Sequence, residues 1–559
     1  MLIPKITNAE RTTDFRPISC LNTVYKVISK ILASRLKWIL EQVISPYQSA
    51  FMPGRLLAEN VLLATDVVQG YNRKNIEPRG MLKVDIRKAF DSVSWDFILS
   101  ALCALRILER FVNWIEECIT TPSFSVCLNG NSSGFFSSTK GLRQGDPISP
   151  YLFVLAMEVF SKLLQSKFDQ GYIHYHPKTS GIALSHLMFA DDVMIFFDKS
   201  EASLHGINEA LDDFASWSGL HMSKEKTQLF HAGLSHLDCE AIQRHGFPLG
   251  SLPIRYLGLP LMHRRLRVSE YEPLIQKVAC RFKSWAVKML SYAERAQLIA
   301  SVISGIINFW ISTFMLPRGC IKKLESLCSR FLWLGKIDGG KGANVSWSSV
   351  CFPNKEGGLG LRRLKDWNTT LCLRFVWLLF SDNGSPWSRW HHYHNIKNSS
   401  FWELKEKQSD SWTWKTLLRL RTIAQAFVKA EVSNGKRTSF WFDSWTPLGP
   451  FINYFGDDGL RSLRLSLSSR VSDACNADGW KLPHPRSDAA LNLQAHLTTV
   501  QPPVPSAPQD VSYWIVNSFK CRGFSSKLTW EVLRPRKPEE TWSSLIWFKG
   551  AIPRHAFNM

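Results

Sequence analysis

Paired cysteines are missing from this sequence. Its 12 Cys are scattered through 559 residues, with no Cys-x-x-Cys anywhere and no signal peptide ahead of them. A disulfide scaffold is therefore not expected, and the thiols read as reduced, in a protein of the nucleus or cytoplasm. Negative charge is also scarce. Only 47 Asp and Glu stand against 68 Lys and Arg, giving a formal net charge of +21. Such an excess favours a polyanionic partner, nucleic acid before an anionic membrane surface, although a generally basic surface gives the same sum. Long charge-free runs are few. Residues 296–316 carry no charge, but Gln297, Ser301, Ser304, Asn308 and Ser312 recur every three or four positions. That polar stripe fits a packed amphipathic helix better than a membrane span. No internal repeat is visible.

What is present points to folded domains. Hydrophobic residues make up 45% of the chain and charged residues 21%, enough to bury more than one core, so about two to four domains are expected. Tyr25, Ile28, Ile31, Leu32, Leu36, Ile39 and Leu40 follow helical spacing over residues 24–43. Lys26, Lys30, Arg35 and Lys37 lie among them, either bordering a nucleic-acid channel or forming an ordinary solvated face. Residues 81–86 read as a buried strand, 96–108 as a helix, and 124–128 as a strand that runs into an Asn129-Gly130 turn. Ser149 and Pro150 suit the N-cap and first position of a helix to about Phe168. Residues 187–197 are apolar except for Asp191 and Asp192, a pattern expected of a hairpin with the acids at its bend. A helix over 202–217 would end at Gly219, and helical patterns dominate 270–331. Eighteen of the 22 Trp lie beyond residue 280, and Pro502, Pro503, Pro505 and Pro508 mark a linker.

The acids carry the chemistry. Asp85 ends a strand and Asp191-Asp192 sit in a turn, each against apolar sequence where a lone carboxylate is costly to desolvate. Taken alone, Asp191-Asp192 is equally well a polar turn. Carboxylates gathered at strand ends repel each other unless a cation lies between them. Magnesium suits that setting because it accepts one or two carboxylates and completes its shell with water and phosphate oxygens. Two such ions can hold the attacking and leaving oxygens of a phosphoryl displacement.

Further motifs surround these acids in order. They are Leu2-Ile3-Pro4-Lys5, Phe15-Arg16-Pro17-Ile18-Ser19, residues 25–33 (Tyr-Lys-Val-Ile-Ser-Lys-Ile-Leu-Ala), and Gln48-Ser49-Ala50-Phe51. Asp85 with Lys88-Ala89-Phe90-Asp91 comes next, then residues 143–150 (Arg-Gln-Gly-Asp-Pro-Ile-Ser-Pro) and Phe189-Ala190-Asp191-Asp192. Ser218-Gly219-Leu220 with Lys226, and Tyr256-Leu257-Gly258-Leu259-Pro260, complete the series. The series resembles the reverse transcriptase of LINE-type (non-LTR) retrotransposons, especially the plant kind. The resemblance implies an α+β right-hand polymerase: fingers, a palm with an antiparallel sheet, and a helical thumb, followed by a mixed, Trp-rich C-terminal region. Residues 1–235 would be fingers and palm, 236–345 a helical thumb-like region, and 346–500 the Trp-rich region. Residues 501–559 would be the start of a zinc-binding reverse transcriptase-associated region, resembled by Trp547-Phe548 and by Ile552-Pro553-Arg554-His555-Ala556-Phe557.

By that resemblance Asp85, Asp191 and Asp192 are the catalytic residues and hold two Mg2+ ions, with Ile86 lending a carbonyl. Lys5 and Arg16 would neutralise a triphosphate, Phe90 would exclude ribonucleotides, Gln144 and Gly145 would pack by the nucleotide, and Lys226 would protonate departing pyrophosphate. Phe90 could instead be core packing, and Lys5 a plain surface cation. Family members often carry Asn where this chain has Ser223. Tyr256, Leu257 and Gly258 would steady a primer end. The expected partners are an RNA template, a DNA primer and deoxynucleoside triphosphates, with no membrane. No zinc is expected, since the chain stops before the Cys and His ligands would appear, and His174-Tyr175-His176 and His391-His392-Tyr393-His394 have no partners at useful spacing. An upstream endonuclease and a downstream RNase H are not found, so the chain reads as a fragment needing an endonuclease in trans. The first expectation is an active RNA-directed DNA polymerase. Its rival is a catalytically silent remnant that binds nucleic acid through basic charge and Trp stacking. A group II intron maturase fits the motif wording less well.

Overall fold

The computed structural model describes residues 2–5, 8–11, 14–73, 76–128, 131–233, 246–286, 288–338, 343–456, 458–476, 479–548 and 555. The Asn129-Gly130 turn, the boundary expected at 235–236, and residues 552–557 other than His555 lie outside them. Packing divides the chain into two units, Met1–His263 with Gly384–Arg389, and Arg264–Asn383 with Trp390–Met559.

In the first unit, strands β1 (Leu2–Pro4) and β2 (Phe15–Pro17) pair antiparallel. Helix α1 (Thr23–Val43) covers the stretch whose spacing predicts it. The side chain of Asn22 caps it, accepting the Tyr25 N–H at 2.7 Å. Leu32, Leu36 and Leu40 bury one face. Helix α2 (Leu57–Val67) is buried along almost its whole length. Its C-terminal carbonyls need a donor there, and the Lys178 ammonium bonds the carbonyls of Asp66, Val67 and Gln69 at 3.3, 3.1 and 2.7 Å. Burial pushes that ammonium down to about 8.

Strand β3 (Arg79–Val84) runs to the acid-bearing tip. After the short α3 (Ala89–Ser92) comes α4 (Trp95–Ala104), shorter than the spacing predicts. The chain turns at Arg106, with φ +56°, and re-enters helix as α5 (Glu109–Thr120), which the sequence reading did not separate. Strands β4 (Ser123–Leu128) and β5 (Asn131–Ser137) form a hairpin. In α6 (Ser149–Asp169), Ser149 is the first helical residue and not the cap. The Ile148 N–H at that end is met instead by Ser29 Oγ at 3.2 Å and Asp146 Oδ1 at 3.3 Å. Strands β6 (His186–Phe189) and β7 (Asp192–Phe197) make the expected hairpin, and α7 (Glu201–Ser218) ends at Gly219 in the left-handed region. Strand β8 (Gln228–Ala232) and the hairpin of β9 (Ile254–Tyr256) and β10 (Leu259–Leu261) complete the unit.

The central sheet has the order β6-β7-β3-β8, and every neighbour is antiparallel. Its strands alternate cleanly. Leu82, Val84, Val193, Ile195, Phe197 and Leu229 join one continuous core with residues of α1, α4, α5, α6 and α7. Met81, Met194, Phe196 and Phe230, of opposite parity, are buried too. A strand buried on both faces reads as an uninterrupted apolar run, which is why residues 81–86 are legible as a core strand.

The second unit begins with helices Glu272–Ala286, Tyr292–Leu298, Ser304–Ile311 and Arg318–Leu334. Among the described residues no helix is long and apolar enough to cross a membrane. The charge-free run 296–316 includes a π-helical turn at Ile299–Ile303, and its Asn308 amide oxygen accepts the Trp367 indole N–H at 2.8 Å. Helix Leu364–Phe380 packs on Trp412–Ala424 and Ser526–Leu533. Within it the Asn368 amide, fully buried, bonds the carbonyls of Ile311 and Phe314 and the N–H of Leu316. Many of the late tryptophans are spent on packing: Trp414, Trp441 and Trp514 are buried, so they present no ring for a nucleic-acid base to stack on. The Pro-rich stretch has no regular structure but is tied down, since Val504 N–H bonds the Ser433 carbonyl at 3.1 Å.

Asp510, at the end of that stretch, organises the loop 433–438. Its carboxylate accepts the N–H groups of Ser433, Gly435, Arg437 and Thr438 and the Thr438 hydroxyl, at 2.8–3.1 Å. Burial alone would push its carboxyl up, but these donors outweigh it and hold it below the ordinary Asp range. A depressed pKa contributes stability that is present above the unfolded value and lost as pH falls through the folded one. Asp510→Asn is therefore expected to destabilise the second unit by about 3 kcal/mol at neutral pH. Denaturant melts should show the gap from wild type closing as pH drops below the usual carboxylate range.

Candidate active site

In β3 the last pair with β7 is Val84 to Val193, so the same register sets Asp85 opposite Asp192. Parity puts Lys83, Asp85 and Asp192 on one face of the sheet. Backbone bonds fix the strand tip. Asp85 N–H donates to Thr227 Oγ1 at 3.2 Å, and its carbonyl accepts the Ser223 N–H at 2.7 Å. Ile86 forms an antiparallel bridge with Met222. Phe189 pairs with Asp192, leaving Ala190 and Asp191 as a two-residue turn. A strand tip and a hairpin bend more than a hundred residues apart in sequence thus bring the three acids to one end of the sheet.

The electrostatics record that meeting. Asp191 keeps solvent access, but protein atoms crowd its other sides. Loss of hydration above all, and repulsion from Asp85, push its carboxyl above the ordinary range, while its own backbone N–H and then Arg16 pull it back. Asp192 is raised by burial and by Asp191 and Asp85, with Lys83 opposing. These are the shifts expected of like charges held together in poor solvent.

The surrounding residues divide into those that face the acids and those that do not. Arg16, on β2, acts on Asp191. Lys5 is exposed and its charge is felt by Asp91. Phe90 is half-buried, its ring stacked on Phe153 at 4.5 Å between centroids. Lys226 lies exposed in the turn between Ser223 and Thr227. Gln144 is half-buried, and its carbonyl accepts the Ser19 N–H at 2.9 Å. Gly145 has φ +107°, and a Cβ there would lie 3.0 Å from the Ser19 carbonyl oxygen, so its close approach is to the 15–19 segment of the chain itself. Next to it Asp146 is buried in a network: an ion pair with Arg143 at 2.7 Å, the Tyr25 hydroxyl at 2.8 Å, and the Ser29 hydroxyl. Arg143 also bonds the Cys118 carbonyl at 2.6 Å and lies over the Tyr25 ring. This motif therefore anchors its loop to α1 and α5.

Tyr256, expected to help steady a primer end, has its side chain fully buried inside the protein, with the Asn60 amide near its hydroxyl. Burial and the nearby Asp192 charge push that hydroxyl up. Leu257 and Gly258, at φ +49° and +82°, form the tight turn of the β9–β10 hairpin and are the part left accessible. In each histidine cluster one ring is packed inside while another, His174 or His392, stays exposed. His176 is buried with Tyr71 Oη at 3.1 Å, and His391 is buried with Asn395 Nδ2 at 2.8 Å.

Two features were missed in the sequence. Lys83 could have been found, since it sits two residues before Asp85 on the same strand face. Gln48 was noticed only as part of a motif; its amide reaches the acid turn, which no local pattern reveals.

Among the described residues no group of three or more His, Cys, Asp or Glu is arranged to hold a metal ion. The donor set still suits magnesium, which needs only one or two protein carboxylates beside substrate phosphate. Crowded, mutually repelling carboxylates with raised pKa values are what a divalent cation would relieve.

Residues 3–261 match the family described as reverse transcriptase (RNA-dependent DNA polymerase), a family that generally depends on magnesium. The chain is 28% identical over 390 residues to a 149 kDa protein of transposon TX1 from Xenopus laevis, covering 69% of this chain and 29% of that protein. It is 26% identical over 380 residues to the Pol polyprotein of the retrotransposable element R2DM from Drosophila melanogaster, covering 65% and 34%. The chain thus spans about a third of the length of the curated relatives it matches. Telomerase from Candida tropicalis has a TM-score of 0.34 at 11% identity, over 66% of this chain and 56% of its own.

Removing one of the repelling charges should stabilise the protein when no divalent ion is present. Asp191→Asn is expected to raise Tm in chelator-treated buffer by about 2 °C, the size of shift that a gain under ~1 kcal/mol brings in a unit this large. Differential scanning fluorimetry with and without MgCl2 checks this; a lower Tm for the variant in both buffers would contradict the repulsion.

Proposed function

We propose that this chain, whose residues 3–261 match the reverse transcriptase family and which is similar to a transposon TX1 protein and to the Pol polyprotein of the retrotransposable element R2DM, is an RNA-directed DNA polymerase of a non-LTR retrotransposon. It adds deoxynucleotides to a primer 3′-hydroxyl on an RNA template. The observation that carries this reading is the register that sets Asp85 opposite Asp192, with Asp191 in the adjoining turn.

In this reading Asp85, Asp191 and Asp192 hold two magnesium ions, with the Ile86 carbonyl as a further oxygen. Bound there, the ions would supply Lewis-acid stabilisation to the attacking 3′-oxygen and to the pyrophosphate leaving from the α-phosphorus. The protein supplies position and charge. Arg16, which already faces Asp191, and Lys5 neutralise the triphosphate. Gln144 and Gly145 border the nucleotide, and Phe90, braced by Phe153, closes against the sugar 2′ position. Lys226 delivers a proton to pyrophosphate. Leu257 and Gly258 support the primer end. Residues 1–235 act as fingers and palm, 236–345 as a thumb-like region, 346–500 as a Trp-rich region, and 501–559 as the start of a zinc-binding region. The site of action is nucleus or cytoplasm.

Primer extension on an RNA template tests the reading. Purified protein should incorporate deoxynucleotides only with magnesium, and Asp191→Asn should lower incorporation by about 10³-fold or more, the scale of losing a charge stabiliser at a phosphoryl-transfer centre. Activity that survives this change rejects the site. Wild-type protein that binds RNA and extends nothing is the silent remnant. Phe90→Ala should raise ribonucleotide use relative to deoxynucleotide use by about tenfold or more, since a ring in contact with C2′ leaves no room for a hydroxyl.

A further inference from the structure

The turn that carries Asp191 is held in a conformation its own residues do not favour. Ala190 has φ +57°, in the left-handed region that a side chain with a Cβ rarely enters. A two-residue hairpin with positive φ at its first central position ordinarily has glycine there. Here it has alanine, so something outside the hairpin must hold it.

That something is Gln48. Its side chain is fully buried. Its Oε1 accepts the Ala190 N–H at 3.0 Å and the Ala50 N–H at 3.0 Å, and its Nε2 lies 3.5 Å from the Ala190 carbonyl oxygen. One amide thus addresses both backbone polar groups of the residue before Asp191. Gln48 is itself fixed. It bridges Met188 in parallel, with Met188 N–H on the Tyr47 carbonyl at 2.9 Å and Ser49 N–H on the Met188 carbonyl at 3.0 Å. Asn60, from α2, donates to the same Met188 carbonyl at 2.9 Å and accepts the Ser49 hydroxyl at 2.8 Å. Arg55 closes the other side, donating to the carbonyls of Ile44, Ser45 and Gln48 at 2.8, 2.5 and 2.6 Å. A continuous set of bonds therefore runs from the end of α1 through Gln48 to the acid turn.

We infer that Gln48 is a positioning residue for polymerisation: its amide clamps Ala190 so that the Asp191 carboxylate is presented toward Asp85. Gln48 touches no reacting atom, since its polar groups are taken by backbone. The inference rests on the polymerase reading above for its kinetic consequences, but the clamp has its own signature. A residue that only filled space would be replaced by methionine of similar length with little effect on the turn. A clamp would not, because methionine offers the Ala190 N–H no oxygen.

Two substitutions separate these outcomes. Gln48→Met is expected to lower kcat for primer extension by about 10- to 50-fold, with KM for the nucleotide within about twofold. The magnesium concentration giving half-maximal rate should rise. Adding Ala190→Gly should recover at least about fivefold in kcat, because glycine adopts the positive φ without help. Hydrogen exchange gives a readout that needs neither metal nor activity: in Gln48→Met, amides of 187–192 should exchange about tenfold faster, while those of β3 and α6 stay as in wild type. Unchanged exchange over 187–192 overturns the clamp whether or not the protein polymerises. Faster exchange with unchanged kcat, or a kcat loss that glycine fails to relieve, overturns the positioning role. Wild-type protein that extends no primer defeats the polymerase reading, and with it the kinetic half of this inference, while exchange still decides the clamp.

Discussion

Three carboxylates of like charge meet at one end of an antiparallel sheet, and much of the first unit is arranged around the cost of that meeting. Asp85 arrives on a core strand and Asp191 and Asp192 on a hairpin, in a register that leaves them no room to part. Burial and mutual repulsion raise both hairpin acids, opposed by the backbone N–H and Arg16 at Asp191 and by Lys83 at Asp192. A fold selected for stability alone would not keep such a cluster. Kept, it makes a site that gains from a bound cation, and in the polymerase reading such cations would offset the negative charge of the transferring phosphoryl group.

Holding such a site needs rigid support, and the support comes from residues whose own chemistry is spent on the backbone. The Ser29, Tyr25, Arg143 and Asp146 network fixes the loop before α6 to α1. Gln48 and Asn60 fix the loop after α1 to the hairpin. Lys178 seals the end of α2, the helix that carries Asn60. Polar side chains buried among backbone groups in this way specify one geometry, since each is costly to leave unpaired. In the second unit Asp510 and Asn368 do the same for a loop and a helix pair.

The readable parts of the sequence were those with a strong period or a strong local chemistry. Helix α1, the core strand β3, the acid hairpin and the Gly219 cap were legible because apolar spacing or a turn residue fixes each locally. The break between α4 and α5 was not, because apolar spacing runs across it and its left-handed turn residue is Arg106, where glycine would have marked the turn. Ser149 looked like a cap because its type fits, yet Ser29, distant in sequence, takes that work. At the site, the three acids are legible as residues, while their proximity depends on the β3–β7 and β6–β7 pairings, which no local pattern specifies. The burial of Tyr256 is not legible, since nothing local distinguishes an exposed tyrosine from a buried one. Gln48 could not be assigned a role because its bonds cross more than a hundred residues.

The central claim is that Asp85 and the hairpin acids share divalent ions. The most direct measurement is an anomalous-scattering map of crystals grown with manganese, a primer–template and an incoming nucleotide that cannot react. The account predicts manganese peaks touching the carboxylates of Asp85 and Asp191, with nucleotide phosphate oxygens in the same shell. Ordered nucleotide with no peak between those two side chains would contradict it.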